Sequence, residues 1–135
     1  MKRPATYKEA VDIATNPGGV LWGFGKGLYE HVAPTPVTEA EIKAFMDVCP
    51  PFRAACYGLV MAWFNWSLRP THELPALPGR NDLLMAAYLP YCDRFVTGDW
   101  AQERDLREIA GAAGIACDVL SFDDFKNCFT LVVVR

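Results

Sequence analysis

The segment over residues 94–120 most constrains the fold of this chain, because two short strand-like stretches flank a helical pattern. Residues 94–97 and 115–120 contain the β-branched and aromatic side chains that favour strands. Asp99 precedes the helical pattern as an N-cap, and Gly114 follows it where glycine commonly ends a helix. Two strands joined by a helix imply parallel pairing. The sequence therefore predicts an α/β fold with a short parallel sheet.

The N-terminal part is predicted to be mostly helical. Residues 6–15 have a weak amphipathic pattern that the letters NPGG end. Thr38 and Glu41 have the spacing of a capping box at the start of a second helix. A third helix, from Phe52 to Leu68, is apolar on nearly every side. Such a helix is either central to a core or shared with a partner.

The chain is predicted to form one compact domain with two parts. Residues 1–37 form a helix and a Gly/Pro-rich segment, and residues 38–135 form an α/β unit. The glycines of VLWGFGKGLYEHV do not match the GxGxxG spacing of a nucleotide fingerprint, so a loop is predicted there. A helix capped by Asn81 is predicted over residues 82–89. A helical turn is expected over residues 122–125, and the tail FTLVVV is predicted to be a strand.

Composition and charge limit the classes of function. The net charge of −3 argues against a broad nucleic-acid-binding face, although a few local Arg or Lys can serve a small substrate contact. The N-terminus lacks the apolar core of a signal peptide. The longest apolar run, residues 54–64, is shorter than the roughly 20 residues of a membrane span. We therefore expect a cytoplasmic protein.

The five cysteines show no spacing typical of a zinc site. An odd number leaves one cysteine unpaired even under full oxidation. Free cysteines are among the most buried residue types in proteins. The sequence therefore predicts reduced thiols, most of them buried.

Two aspartates mark the candidate site. Asp99 follows the first predicted strand, and Asp82 begins the helix that precedes this strand. Ligands of open α/β sheets bind beyond the carboxyl ends of the strands. If that helix runs antiparallel to the strand, both carboxylates reach the same edge of the sheet. Mg²⁺ is often held by one or two carboxylates together with waters and substrate phosphate. Helix capping alone also favours aspartate at these positions.

The stretch NDLLMAAYLPYCDRFVTGD resembles the C-terminal half of PIN-domain nucleases. These proteins have an Asp at the start of a helix, then a strand, then a Thr-x-Asp turn, which Asp82, Thr97 and Asp99 match. The resemblance implies a three-layer α/β/α fold and a toxin-type ribonuclease that binds Mg²⁺ or Mn²⁺ and is held in check by an antitoxin-like protein. It also implies metal-supporting roles for Glu103 or Asp105. Arg80 is a candidate contact for an RNA phosphate.

The chain departs from this family at its start. It has no opening hydrophobic strand that ends in Asp, and Asp12 lies in a helical pattern instead. Glu30 and Glu73 are equal candidates for the mid-domain acid of the family. The sequence is therefore interpreted either as a truncated nuclease or as a degenerate member without activity.

Two other functions remain open from the sequence. The first is a non-catalytic interaction module, with a homodimer through the helix from Phe52 to Leu68. The second is a small-molecule-binding protein that uses the GFGKG segment.

Overall fold

The computed structural model describes residues 3–33, 35–69 and 77–133. In these ranges the chain forms the helices α1 (Tyr7–Ala14), α2 (Val20–Val32), α3 (Glu39–Val48), α4 (Pro50–Trp63), α5 (Arg80–Leu84), α6 (Trp100–Ala113) and α7 (Phe122–Val133). A π-helical segment (Phe64–Leu68) continues α4, and a 3₁₀-helix (Met85–Tyr91) continues α5. The strands are β1 (Arg94–Thr97) and β2 (Asp118–Ser121). The described chain is thus a mostly helical mixed α/β protein.

Helix α4 lies at the centre of the hydrophobic core. Its residues Ala54, Cys56, Val60 and Met61 are completely buried. The helix packs against α2, α3, α5, α6 and the 3₁₀-helix. This explains why its sequence is apolar on nearly every side, because neighbours cover most of its circumference. Trp66, in the π-helical segment beyond α4, stays 68% exposed.

The core joins the two predicted parts of the chain. Tyr7 and Leu21, from the first 37 residues, belong to the same buried cluster as Ile42, Leu89 and Leu106. Tyr7 also donates a hydrogen bond from its hydroxyl to the main-chain oxygen of Tyr57, at 3.0 Å. The N-terminal helices therefore pack directly on the rest of the chain.

Strands β1 and β2 pair in parallel, as the sequence predicted. Their register places Arg94 opposite Asp118 and Thr97 opposite Ser121. Helix α6 connects them and ends at Gly114, whose φ of 67° lies in the left-handed region that glycine favours. Because parallel strands end at the same side, the turn after Thr97 and the start of α7 after Ser121 lie at one edge of the sheet.

The predicted loop at GFGKG is wrong, since this segment lies inside α2. Helix packing explains the outcome at Gly25, where a Cβ would lie 2.7 Å from Ile42 Cγ2 and 2.6 Å from Met46 Cε. The missing side chain lets α3 approach α2 closely. Main-chain amides inside a helix are already hydrogen-bonded, so they are not available to cradle a phosphate. The structure therefore excludes a GFGKG phosphate loop.

The predicted strand at the tail is also wrong, because α7 extends from Phe122 to Val133. The Ser121 hydroxyl accepts a hydrogen bond from Asp124 N at 3.0 Å, and two aspartates occupy the first turn. Phe125 and Phe129, four residues apart, form an edge-to-face pair with centroids 4.9 Å apart. These local helical contacts outweigh the strand preference of the β-branched residues, which depends strongly on context.

Two helix starts differ from the predictions. Pro50 begins α4, where a missing N–H is tolerated, instead of lying in a break between helices. Helix α5 has Gly79 rather than Asn81 at its N-cap, and it tightens to a 3₁₀-helix at Met85. In contrast, the predicted capping box of Thr38 and Glu41 is confirmed.

The prediction that most cysteines are buried is wrong for the described residues. All five are free thiols, but Cys56 alone is buried, while Cys49, Cys92, Cys117 and Cys128 are partly exposed. In the part of the chain that the structure describes, no helix has the length and hydrophobicity needed to cross a membrane.

Close packing at Gly58 gives a test of the core. A Cβ at this position would lie 2.7 Å from the main-chain oxygen of Leu83, which cannot move without α5. We expect Gly58→Ala to lower the free energy of unfolding by about 1–3 kcal/mol, measured by urea denaturation. The matched control is Gly27→Ala in α2, where no atom lies within 4 Å of the new Cβ. It should raise stability by about 0.5–1 kcal/mol. Equal effects of the two variants would contradict this packing.

Candidate functional site

Asp99 lies in the turn between β1 and α6 and caps the helix. Its Oδ1 atom accepts hydrogen bonds from Ala101 N at 2.9 Å and Gln102 N at 3.0 Å. Its own N–H donates to Thr97 Oγ1 at 3.1 Å. Among the described residues, no group donates to the other oxygen, Oδ2. Asp99 is exposed, so this oxygen is open to solvent at the carboxyl edge of the sheet.

Gln102 connects the residues that the sequence assigned to the site. Its Nε2 donates to the main-chain oxygen of Asp82 at 3.1 Å, and its Oε1 accepts from Thr97 Oγ1 at 2.7 Å. Its main-chain N–H donates to Asp99, as described above. One side chain, 7% exposed, thus links the first turn of α5 to the end of β1 and the first turn of α6.

This role of Gln102 was missed by the sequence analysis. Its position three residues after Asp99 is that of the second residue in a capping box, where the side chain would return to the Asp99 main chain. The structure directs the side chain to Asp82 and Thr97 instead. The available signal was that Gln102 shares the buried face of α6 with Leu106 and Ile109, where a polar group needs partners.

Asp82 lies in the first turn of α5 and is exposed. Its Oδ2 accepts a hydrogen bond from Gly79 N at 3.1 Å. Within the described part of the chain, its Oδ1 has no hydrogen-bond partner. Gln102 therefore links the main chain of Asp82 to Thr97 and Asp99. Each aspartate has one carboxylate oxygen without a hydrogen-bond partner among the described residues. We call Asp82, Thr97 and Asp99 the acidic rim.

Glu103 and Asp105 have different surroundings. Glu103 forms an ion pair with Arg107, with Oε1 and Nη2 2.7 Å apart. Asp105 is completely buried on the inner face of α6, because it follows Gln102 by one helical turn. The structure does not bring the Asp105 carboxylate to solvent at the acidic rim.

The Asp105 carboxylate has three partners. Asn65 Nδ2 donates to Oδ2 at 2.8 Å, Arg104 Nε donates to Oδ1 at 2.8 Å, and Arg69 Nη2 lies 3.6 Å from Oδ1. Arg69 also donates to Asn65 Oδ1 at 2.9 Å and lies over the ring of Phe64. This buried ion cluster attaches the π-helical segment to α6. A buried carboxylate needs such partners because desolvation of an unpaired charge is costly.

The pKa values of two neighbouring groups, Glu108 and Tyr7, are raised. Burial raises the pKa of Glu108, and the charge of Asp105 raises it further, while Arg69 and Arg104 act in the opposite direction. Burial also raises the pKa of Tyr7 well above its ordinary value. Glu108 and Tyr7 line a cleft between α1 and α6, with Asp12 at its edge. Asp12 therefore lies on α1, and among the described residues no hydrogen bond or ion pair joins it to the acidic rim.

Arg80 is the first residue of α5, two positions before Asp82, and its side chain is exposed. It lines a surface cavity together with residues of α2 and α4: Gly23, Phe24, Gly27, Leu28, Leu59, Ala62 and Trp63. No ion pair engages Arg80 among the described residues. Its guanidinium is therefore available for an anion near the start of α5.

Of the two acids considered for completing the site, the structure describes Glu30, which lies in α2. Glu30 accepts a hydrogen bond from Val37 N at 3.3 Å and pairs with Lys26 across 3.9 Å. Glu73 lies outside the described residues. Where the structure describes the chain, no group of three His, Cys, Asp or Glu side chains is arranged to hold a metal ion. Mg²⁺ is often bound by only one or two protein carboxylates together with waters.

Comparisons of this chain with protein-family models, with curated proteins and with solved structures find no match.

The buried ion cluster gives a second test. Replacing Asp105 by Asn keeps the shape of the side chain but leaves Arg69 and Arg104 facing each other without their anion. We expect Asp105→Asn to lower the free energy of unfolding by about 2–4 kcal/mol, measured by urea denaturation. The control Glu103→Gln removes a surface ion pair and should cost less than about 1 kcal/mol. A small effect of Asp105→Asn would show that the cluster does not hold α6 in place.

Proposed function

We propose that this chain is a PIN-like metal-dependent ribonuclease domain, in which the acidic rim binds Mg²⁺ or Mn²⁺. One observation supports this above the others: Gln102 holds Asp82, Thr97 and Asp99 together at the carboxyl edge of the parallel strands. If the two carboxylates converge to about 4 Å, they repel by roughly 4 kcal/mol at an effective dielectric of 20, and a bound cation reverses that sign. The N-terminus of α6 adds positive potential that favours the Asp99 carboxylate.

Each residue of the acidic rim has a distinct role in this proposal. Asp82 and Asp99 offer their open oxygens to the metal. Thr97 orients the turn, because its hydroxyl accepts from Asp99 N and donates to Gln102. A bound divalent ion would lower the pKa of a water and polarise the scissile phosphodiester.

The flanking residues complete the assignment. Arg80 contacts an RNA phosphate near Asp82. Glu103 lies about one helical turn after Asp99. It supports a second ion once its ion pair with Arg107 opens. Asp105 acts through α6 as a positioning residue, because arginines and Asn65 occupy its carboxylate. We expect weak turnover or none from this chain alone, because the rim offers two acids rather than the larger set of the family. We also propose that the chain has the three-layer α/β/α fold of this family and that an antitoxin-like protein covers the acidic rim.

Mn²⁺ binding tests the proposal directly. We expect millimolar Mn²⁺ to raise the melting temperature of the wild-type chain by several degrees, since a ligand at about 100 times its Kd adds roughly 2.7 kcal/mol. Asp82→Asn and Asp99→Asn should each abolish most of this shift. Asparagine remains a good N-cap, so the metal-free stability of Asp99→Asn should change by a few tenths of a kcal/mol at most.

Asp118→Asn is the matched control, because Asp118 is an exposed aspartate at the opposite edge of the sheet. It should retain the full Mn²⁺ shift. An absent shift in wild type, or equal shifts in all variants, would exclude a metal site at the acidic rim. If the shift is found, an assay of single-stranded RNA cleavage with Mn²⁺ present distinguishes a catalytic site from a metal site without turnover.

A second candidate function is a homodimerisation module. An apolar groove supports it: Leu28, Tyr29, Val32, Phe45 and Phe52 line a surface cavity between α2, α3 and the start of α4. Val32 is 84% exposed at this groove. Phe52 belongs to the helix through which the sequence predicts a homodimer. Exposed apolar grooves of this kind are common at interfaces.

The oligomeric state tests this second candidate. We expect light scattering coupled to size exclusion to show a dimer at high concentration, and Val32→Asp to shift it to a monomer. Val32 packs little in the single chain, so this variant should fold normally. A control substitution, Tyr91→Asp, alters a residue that is 77% exposed and lies outside the groove. A wild-type chain that stays monomeric would exclude the dimer.

A further inference from the structure

Two cysteines meet at the amino end of the parallel sheet. Cys92 follows the 3₁₀-helix and precedes β1, while Cys117 immediately precedes β2. Their sulfur atoms are 3.8 Å apart, although 25 positions separate them in sequence. A hydrogen bond from Asp118 N to Asp93 O, at 2.9 Å, joins the residues next to them. Strand pairing therefore holds the two thiols side by side.

This pair differs from the other cysteines. Cys56 is buried inside α4, and the Cys128 thiol donates to Asp124 O within its own helix. Cys92 and Cys117 are both partly exposed, so a small oxidant can reach them. A disulfide needs its sulfurs at about 2.05 Å, which is a short movement from contact distance when neighbouring strands already fix the main chain.

We propose that Cys92 and Cys117 form a reversible intramolecular disulfide, which makes this pair a redox modification site. A peroxide is the oxidant class that the step requires. The Cys92 thiolate attacks one peroxide oxygen, so that an S–O bond forms, the O–O bond breaks and hydroxide leaves. The Cys117 sulfur then attacks Cys92, the S–S bond forms, and the S–O bond breaks. The hydroxide released in the first step takes the Cys92 proton, and the hydroxide released in the second step takes the Cys117 proton. Two thiols and one hydrogen peroxide therefore yield one disulfide and two waters.

The surroundings indicate the order of these two steps. Burial raises the pKa of the Cys117 thiol, and its hydrogen bond with Cys92 raises it further. Cys117 therefore remains protonated at neutral pH, and the first attack belongs to Cys92. The Cys92 thiol lies beside the main-chain oxygens of Tyr88 and Leu89, at 3.4 and 3.7 Å, at the end of the 3₁₀-helix.

The disulfide would close a loop that contains β1, α6 and, of the acidic rim, Thr97 and Asp99. It would fix the starts of β1 and β2 to each other, while the acidic rim lies at the opposite end of strands about 13 Å long. The proposal is therefore independent of metal binding. Closing a loop of this length should raise the melting temperature by roughly 5–10 °C, and reductant should reverse the change.

The experiment uses the full chain, fully reduced and then exposed to equimolar hydrogen peroxide near neutral pH. We expect the intact mass to fall by two hydrogens in a monomer, and non-reducing peptide mapping to join Cys92 to Cys117. Dithiothreitol should restore both the mass and the original melting temperature. Cys92→Ser and Cys117→Ser should each abolish the mass loss, while the controls Cys49→Ser and Cys128→Ser should retain it.

Several results would overturn the proposal. These are a disulfide that involves another cysteine, a disulfide-linked dimer, or oxidation of Cys92 to the sulfinic acid without closure. Titration of the wild-type chain in glutathione buffers adds a measurement that needs no variant. An absence of the Cys92–Cys117 link across the whole range of buffers would also overturn the proposal.

Discussion

The inner face of helix α6 contains two polar residues, Gln102 and Asp105, on which the arrangement of the chain around it depends. Gln102 binds the first turn of α5 and the end of β1, and Asp105 binds the π-helical segment after α4. Apolar side chains at these positions would pack, but they would not fix the rotation of α6 against its neighbours. Buried polar groups with all their partners can specify one arrangement in this way. Both residues lie on the face that also buries Leu106 and Ile109.

Local signals in the sequence predicted the elements around the site. The Asp99 cap, the left-handed Gly114 and the strand at 94–97 each depend on residues close in sequence, and the structure has all three. The wrong predictions concern long-range packing. GFGKG is helical because α3 packs on Gly25, and the tail is helical as far as Val133 because α7 begins at a capped, acidic turn. Neither contact is visible from residue preferences alone.

The candidate site shows the same contrast between local signals and long-range contacts. The sequence predicted that Asp82 and Asp99 would share an edge, since helix and strand directions follow from connection length. It did not predict which residue joins them, because Gln102 reaches Asp82 across 20 positions in sequence. Asp105 was grouped with the metal ligands from its spacing to Asp99. The structure turns it inward to Asn65 and Arg69, which lie 40 and 36 positions away.

The two ends of the small sheet have separate chemistry. The carboxyl end has the acidic rim, open to solvent, and the amino end has the Cys92–Cys117 pair. Helix α6 packs against both strands and against α4, so the core holds both ends of the sheet in place. This separation allows metal binding and thiol oxidation to be examined independently in one chain.

Paramagnetic broadening by Mn²⁺ in an amide-resolved NMR spectrum tests the central claim most directly, because broadening falls off steeply with distance from the ion. Substoichiometric Mn²⁺ should broaden the amide signals of Asp82, Thr97, Asp99 and Gln102 first, and should broaden that of Asp118 much less. Broadening that begins instead at Asp123 and Asp124, or that spreads evenly over the exposed acids, would contradict a metal site at the acidic rim.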